Sequence, residues 1–183
     1  MNAGLTLEAI AEAAVRTGFR DLSLSGVARS LGVTHVALYR YVKDRAALGF
    51  VAVERVAADL PWPNAEDGWE RHLLDVAHLV NDTFQDHPGL YEEVVRLGSV
   101  PSFDRHTIAT ANVLVGHGFT PDQTRLAVEV LFNLVLDTFR TNRGVTDAAQ
   151  DPNIPEPFRS TSVTLDDKLD LLIAGLKAVL GRS

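Results

Sequence analysis

Residues 24–45, LSGVARSLGVTHVALYRYVKDR, hold two short helical patterns on either side of a glycine. In the first, Ser23 is placed to cap, and Leu24, Val27, Ala28 and Leu31 fall on one side of a helix that Gly32 ends as a left-handed residue. In the second, Thr34 caps a helix from His35 to Tyr41, with Val36 and Leu38 read as facing inward and His35, Ala37, Tyr39 and Arg40 outward. Asp44 then caps a longer helix that runs to about Asp59. Two short helices joined by a tight glycine turn can set the second into the major groove of DNA. Its first residues then meet base edges, and the first helix crosses the backbone.

The charge distribution agrees with that geometry. The 183-residue chain carries a net charge of -7, but residues 1–60 sum to +1 and residues 61–183 to -8. From Arg16 to Arg45, the side chains of Arg16, Arg20, Arg29, Arg40, Lys43 and Arg45 stand against only Asp21 and Asp44, a local balance of +4. A basic head on an acidic body is a cue to nucleic-acid contact.

Upstream and downstream of this stretch the period stays helical, and no strand-type alternation appears. A first helix spans Thr6 to Thr17, with Leu7, Ile10, Ala11, Ala14 and Val15 on one face and Gly18 as its stop. After the break at Pro61-Trp62-Pro63-Asn64, helices are predicted at Glu66 to Gln85, Gly89 to Gly98, Phe103 to Gly116, Pro121 to Arg143 and Leu165 to Leu180. The stretch Gly144 to Thr164, with Pro152, Pro155 and Pro157, reads as the longest loop. The predicted fold class is all-α: an N-terminal three-helix helix-turn-helix DNA-binding domain and a C-terminal helical domain for ligand binding and dimerisation. The boundaries are residues 1–46 for the head, 44–59 for a connecting helix and 60–183 for the body.

The same stretch carries a resemblance. Residues 24–45 followed by Ala46, Ala47 and Leu48, with the opening run Leu5 to Ile10, Ala13, Ala14, Gly18 and Phe19, resemble the DNA-binding domain of TetR-family transcriptional repressors. The match covers about the first 57 residues, and its most specific part is Gly32-Val33-Thr34 with Leu38, Tyr39, Tyr41, Val42, Lys43, Asp44, Arg45 and Leu48. Trp69, His87-Pro88-Gly89 and Gly118-Phe119-Thr120-Pro121 resemble the tetracycline-repressor-like subgroup. The resemblance implies recognition-helix contacts from Thr34, His35, Ala37, Tyr39 and Tyr41, phosphate contacts from Lys43 and Arg45, and Ser23 and Ser25 on the preceding helix. Hydroxyls, Lys and Arg are phosphate ligands, whereas His35 and the small Ala37 suit base edges or a thymine methyl. One departure is Ser25-Gly26, where the family often has a basic residue.

Leu126 to Phe139 has ten apolar residues in fourteen, more than a one-sided surface helix needs, so a second subunit is predicted to cover part of it. The interface residues would be Leu126, Val130, Phe132 and Leu136 with Leu169, Ile173 and Leu176 of the last helix. The resemblance implies that these two helices pair about a two-fold axis as a four-helix bundle. A small-molecule effector is then expected among the helices between Glu66 and Gly116, with Trp69, Phe84, Phe103 and His106 as lining residues.

Much is excluded. The absence of cysteine removes disulfides, thiolate metal sites and cysteine nucleophiles. No nucleotide-binding glycine loop, zincin motif or Gly-x-Ser-x-Gly elbow occurs, so no enzyme and no cofactor is expected. His78 with Asp82 at i+4 is read as a solvated pair, and no metal site is expected. Residues 1–4 show no leader pattern and every apolar run is broken early, which predicts a cytoplasmic protein without membrane contact. The leading reading is a homodimeric repressor released from a palindromic operator by its effector. The alternative is a helical adaptor whose head engages a protein partner and which has no small-molecule effector.

Overall fold

The computed structural model describes residues 5–148 and 163–181, and these contain helices and turns without strands. In chain order the helices are α1 (Leu7–Thr17), α2 (Leu24–Leu31), α3 (His35–Leu38), α4 (Arg45–Asp59), α5 (Gly68–Asp86), α6 (Leu90–Leu97), α7 (Pro101–Gly116), α8 (Pro121–Ala148) and α9 (Leu165–Leu180). None of them is long and apolar enough to cross a membrane. The all-α prediction therefore holds for the described residues.

The starts are set by local chemistry. The side chains of Thr6, Ser23, Thr34 and Asp44 each accept a hydrogen bond from the backbone N–H three residues on, at Ala9, Gly26, Ala37 and Ala47. These bonds satisfy amides that the first turn leaves without intrahelical partners. Gly32, at φ 66° and ψ 27°, ends α2 in the left-handed conformation that a side chain disfavours, and its N–H reaches the carbonyls of Ala28 and Arg29.

Several boundaries depart from the sequence reading, most by a residue or two, and three carry a physical reason. α3 closes at Leu38 and a turn carries the chain to Tyr41, whose N–H bonds the Leu38 carbonyl. α7 starts at Pro101 rather than Phe103, because a distant residue supplies its cap: Glu54 of α4 accepts from the Ser102 N–H at 3.1 Å and from its hydroxyl at 2.6 Å. A partner 48 residues away leaves no local signature. α8 continues to Ala148, so 144–148 is helical and not loop; the first proline lies only at 152, and a single Gly weakens a helix without ending it. The rest of the expected loop, 149–162, lies outside the described residues.

By compactness the chain divides into Met1–Pro61 with Thr83–His106, and Trp62–Asp82 with Thr107–Ser183. In the first unit α1 packs on α2 and α4, and α4 on α6. Its core is Ile10, Ala14, Val27, Leu38, Leu48, Val53 and Leu90, all nearly inaccessible. Residues after Thr83 join this unit through close backbone contact: Gly89, at φ 97°, lies where an added Cβ would stand 2.8 Å from the Arg20 nitrogen, and His87 meets Phe19 edge-on at 6.2 Å. The second unit packs α8 on α9 around Leu73, Leu114, Leu131, Val135 and Leu169. Trp69 stands edge-on to Phe119 at 5.1 Å, and the buried His72 ring bridges the Asn64 carbonyl and the Thr110 hydroxyl at 3.2 Å each. Glu70 of α5 pairs with Lys177 of α9 at 2.6 Å.

The contrast between two glycines is testable. Gly89→Ala combines a positive φ with a backbone clash, while Gly98 has φ 72° and open space around it. Urea denaturation of Gly98→Ala is expected to show a loss of about 1 kcal/mol, and that of Gly89→Ala a loss near or above about 3 kcal/mol.

Candidate nucleic-acid interface

The head is built on one buried contact per short helix. Leu24, Val27 and Ala28 of α2 face the core, and Leu38 of α3 has no exposed surface at all. With only four residues in α3, inserting Leu38 determines where every other side chain points, since each residue advances the direction by 100°. Val36 lies about 200° from Leu38 on that count, so the two cannot both face inward. Val36 is in fact 74% exposed, which corrects the inward placement read from sequence. The i, i+2 spacing already held the signal.

The outward surface comprises Thr34, His35, Val36, Tyr39, Arg40 and Lys43, joined by Ser23 and Ser25 of the preceding segment. His35 and Tyr39 stand edge-to-face at 4.9 Å, which stiffens both rings. Ala37 is half-buried. Arg20, Arg29, Arg40 and Lys43 form no ion pair among the described residues, so their charge is available to an anionic partner.

Several of the expected contacts are engaged within the chain. The Tyr41 hydroxyl donates to the Leu5 carbonyl at 2.5 Å, tying the turn after α3 to the residues before α1. Arg45 turns towards α6, where its guanidinium donates to both oxygens of Glu93 at 2.8 and 2.6 Å and to the Phe19 carbonyl at 3.5 Å. Glu93 is only 4% exposed and receives a second guanidinium from Arg96, with Nε at 2.9 Å. Gly49 lies over this cluster, and a Cβ there would overlap the Glu93 carboxylate and reach within 3.0 Å of Arg45 Nη1. Arg45 is thus the charge that compensates a buried acid. Sequence inspection could not find Glu93, since an acid on a short amphipathic helix reads as solvated. Ser23 and Thr34 likewise accept cap hydrogen bonds, from the Gly26 and Ala37 N–H groups, which leaves each hydroxyl its proton to donate.

The residues expected to line an effector site are distributed over both units. Trp69 is buried in the second, against Phe119. Phe84, buried edge-on to Tyr91, belongs to the first, as do Phe103 and His106, both half-buried. Burial, and then the positive charge of Arg105, holds the His106 ring below its ordinary pKa. His78 pairs with Asp166 of α9 at 3.1 Å, and among the described residues no group of three His, Asp or Glu could hold a metal ion.

Along α8 and α9 the expected interface set also separates. Leu169, Ile173 and Leu176 are at most 8% exposed within the single chain, packing inward with Leu131 and Val135. Phe132 and Leu136 are half-buried. An open apolar groove of about 430 Å³ lies on another side, lined by Leu126, Val130, Leu134, Leu171, Leu172 and Val179, with Leu176 at its floor. Leu126 is 58% and Leu171 77% exposed.

This arrangement has close structural counterparts. Apo ActR from Streptomyces coelicolor superposes with a TM-score of 0.80 at 21% identity, covering 100% of this chain and 99% of that one. The S. coelicolor TetR-family protein ActR in complex with actinorhodin gives 0.76 at 20% identity over 98% of each chain. BioQ with its natural double-stranded DNA operator gives 0.72 at 18% identity, covering 95% of this chain and 99% of that one. The fold is that of the TetR-family regulators. No family profile and no curated protein matches the sequence.

The different tasks of two adjacent cations are separable. Arg45→Ala leaves a buried carboxylate short of a partner and is expected to lower the unfolding free energy by about 2 kcal/mol or more. Lys43→Ala, on an exposed position, should leave it within about 0.5 kcal/mol. Chemical denaturation of the two variants side by side gives the comparison.

Proposed function

We propose that this chain is a homodimeric transcriptional regulator that binds a two-fold-symmetric DNA operator and releases it when a small molecule occupies its helical body. The observation that carries the reading is the face of α3. Thr34, His35, Tyr39 and Arg40 are presented outward on a recognition helix held by Leu38, with Lys43 beside them and no acidic partner to neutralise the cations. Protein hydroxyls and cations of this kind position a protein on phosphates, and an imidazole reads base edges. BioQ, which shares the fold, is described on its operator, and ActR with actinorhodin bound.

The dimer reading rests on the α8–α9 groove. Leucines and valines in one continuous strip, with Leu126 and Leu171 more than half exposed, favour burial against a second copy of the same strip. Leu126 and Val130 remain the α8 side of the proposed interface, and Leu171, Leu172 and Val179 take the α9 side in place of Leu169 and Ile173. The effector is proposed to lie in the second unit near Trp69. In the same unit the buried Thr124 hydroxyl on α8 has no hydrogen-bond partner, and a polar ligand atom would satisfy it.

Two measurements test this. Binding to a selected operator should weaken linearly in log-log plots against salt, and Arg40→Ala or Lys43→Ala should each reduce the slope by about 1 while lowering affinity across all sequences alike. Absence of salt-dependent operator binding would favour a head that docks a protein. Leu171→Asp places a charge in the proposed dimer seam and is expected to give a folded monomer by light scattering, with operator affinity lost.

A further inference from the structure

We propose that Val36 reads the C5 methyl group of a thymine in each operator half-site, an inference that rests on the regulator reading above. The isopropyl group is 74% exposed on the second residue of α3, opposite the Leu38 anchor. Its neighbours on that surface all carry hydrogen-bonding groups: His35 before it, Tyr39 at i+3 and Arg40 at i+4. Val36 has no polar atom, so it cannot bind phosphate, a base donor or a base acceptor. The one apolar feature that the major groove offers is the thymine methyl, and aliphatic side chains recognise it by contact.

Two further observations favour Val36 over Ala37, the small residue suited to the same task by size. Ala37 is half-buried where Val36 is 74% exposed, so the Ala37 methyl group is set back from the surface. Val36, being β-branched, has a stiff χ1 in a helix and presents its two methyl groups without loss of rotamer freedom. The neighbouring His35–Tyr39 edge-to-face contact at 4.9 Å fixes the polar groups beside it. The result is a methyl-sized apolar reader between fixed hydrogen-bonding groups, which sets a C5-methyl requirement at one base pair per half-site.

The experiment uses the full chain and the operator obtained by selecting bound genomic fragments. Each symmetric pair of thymines in that operator is replaced by deoxyuracil, which removes the methyl group and leaves every hydrogen-bonding edge unchanged. One pair is expected to raise Kd by about fourfold per half-site, about 15-fold together, the value of burying one methyl group at each. Val36→Ala should raise Kd for the thymine operator by a similar factor and lose its response to deoxyuracil at that pair only, whereas His35→Ala keeps the response. Because Val36 is outside the core, Val36→Ala keeps the wild-type denaturation midpoint. A Val36→Ala protein with wild-type affinity and an unchanged deoxyuracil profile overturns the assignment and leaves the regulator reading intact. Failure to select any operator overturns both.

Discussion

Burying a carboxylate demands compensating charge, and Glu93 receives it from two guanidiniums at once. Arg45 is the first residue of α4 and Glu93 sits in the middle of α6, so one ion pair fixes the start of α4 against α6. The segment from Thr34 to Asp44 that precedes Arg45 is pinned along its length by Leu38 and Val42, both nearly inaccessible. The Tyr41 hydroxyl adds a tie to Leu5. The α3 segment is therefore anchored on both sides, and Gly49 leaves the space in which the Glu93 carboxylate and the Arg45 guanidinium meet against α4.

The same anchors sort the cations of the head into two classes. Arg45 serves folding; Arg40 and Lys43 have no acid to serve and are left to the surface. A positive charge count of the head treats them alike, yet their deletion has different physical consequences. One leaves a buried acid short of a partner, and the others remove surface charges that no acid within the chain compensates.

A comparable division runs through the body. α8 and α9 are rich in leucine and valine on more than one side, and the chain's own core takes up Leu131, Val135, Leu169, Ile173 and Leu176. The surplus, from Leu126 to Val179 across the groove, is what a second copy would cover. Polar ties at the edges, Lys168 to the Thr138 hydroxyl at 2.8 Å and Lys177 to Glu70, hold α9 in register so that the surplus falls on one continuous strip.

The sequence by itself determined what depends on residues within a turn or two of each other. The four side-chain caps, the glycine end of α2, the helical period throughout and the helix-turn-helix in the first 60 residues all rest on such local interactions. Val36 belonged to that class as well, because 100° per residue separates it from Leu38, and its inward placement was an error of periodicity. Tertiary structure alone decided the partners that lie far apart in the chain: Arg45 with Glu93, Glu54 capping α7, Tyr41 with Leu5, and the buried stripe of α9. The reason is physical. A capping or period signal is written in adjacent residues, whereas the burial of an acid or the choice between two apolar stripes is settled by whichever distant surface packs against it.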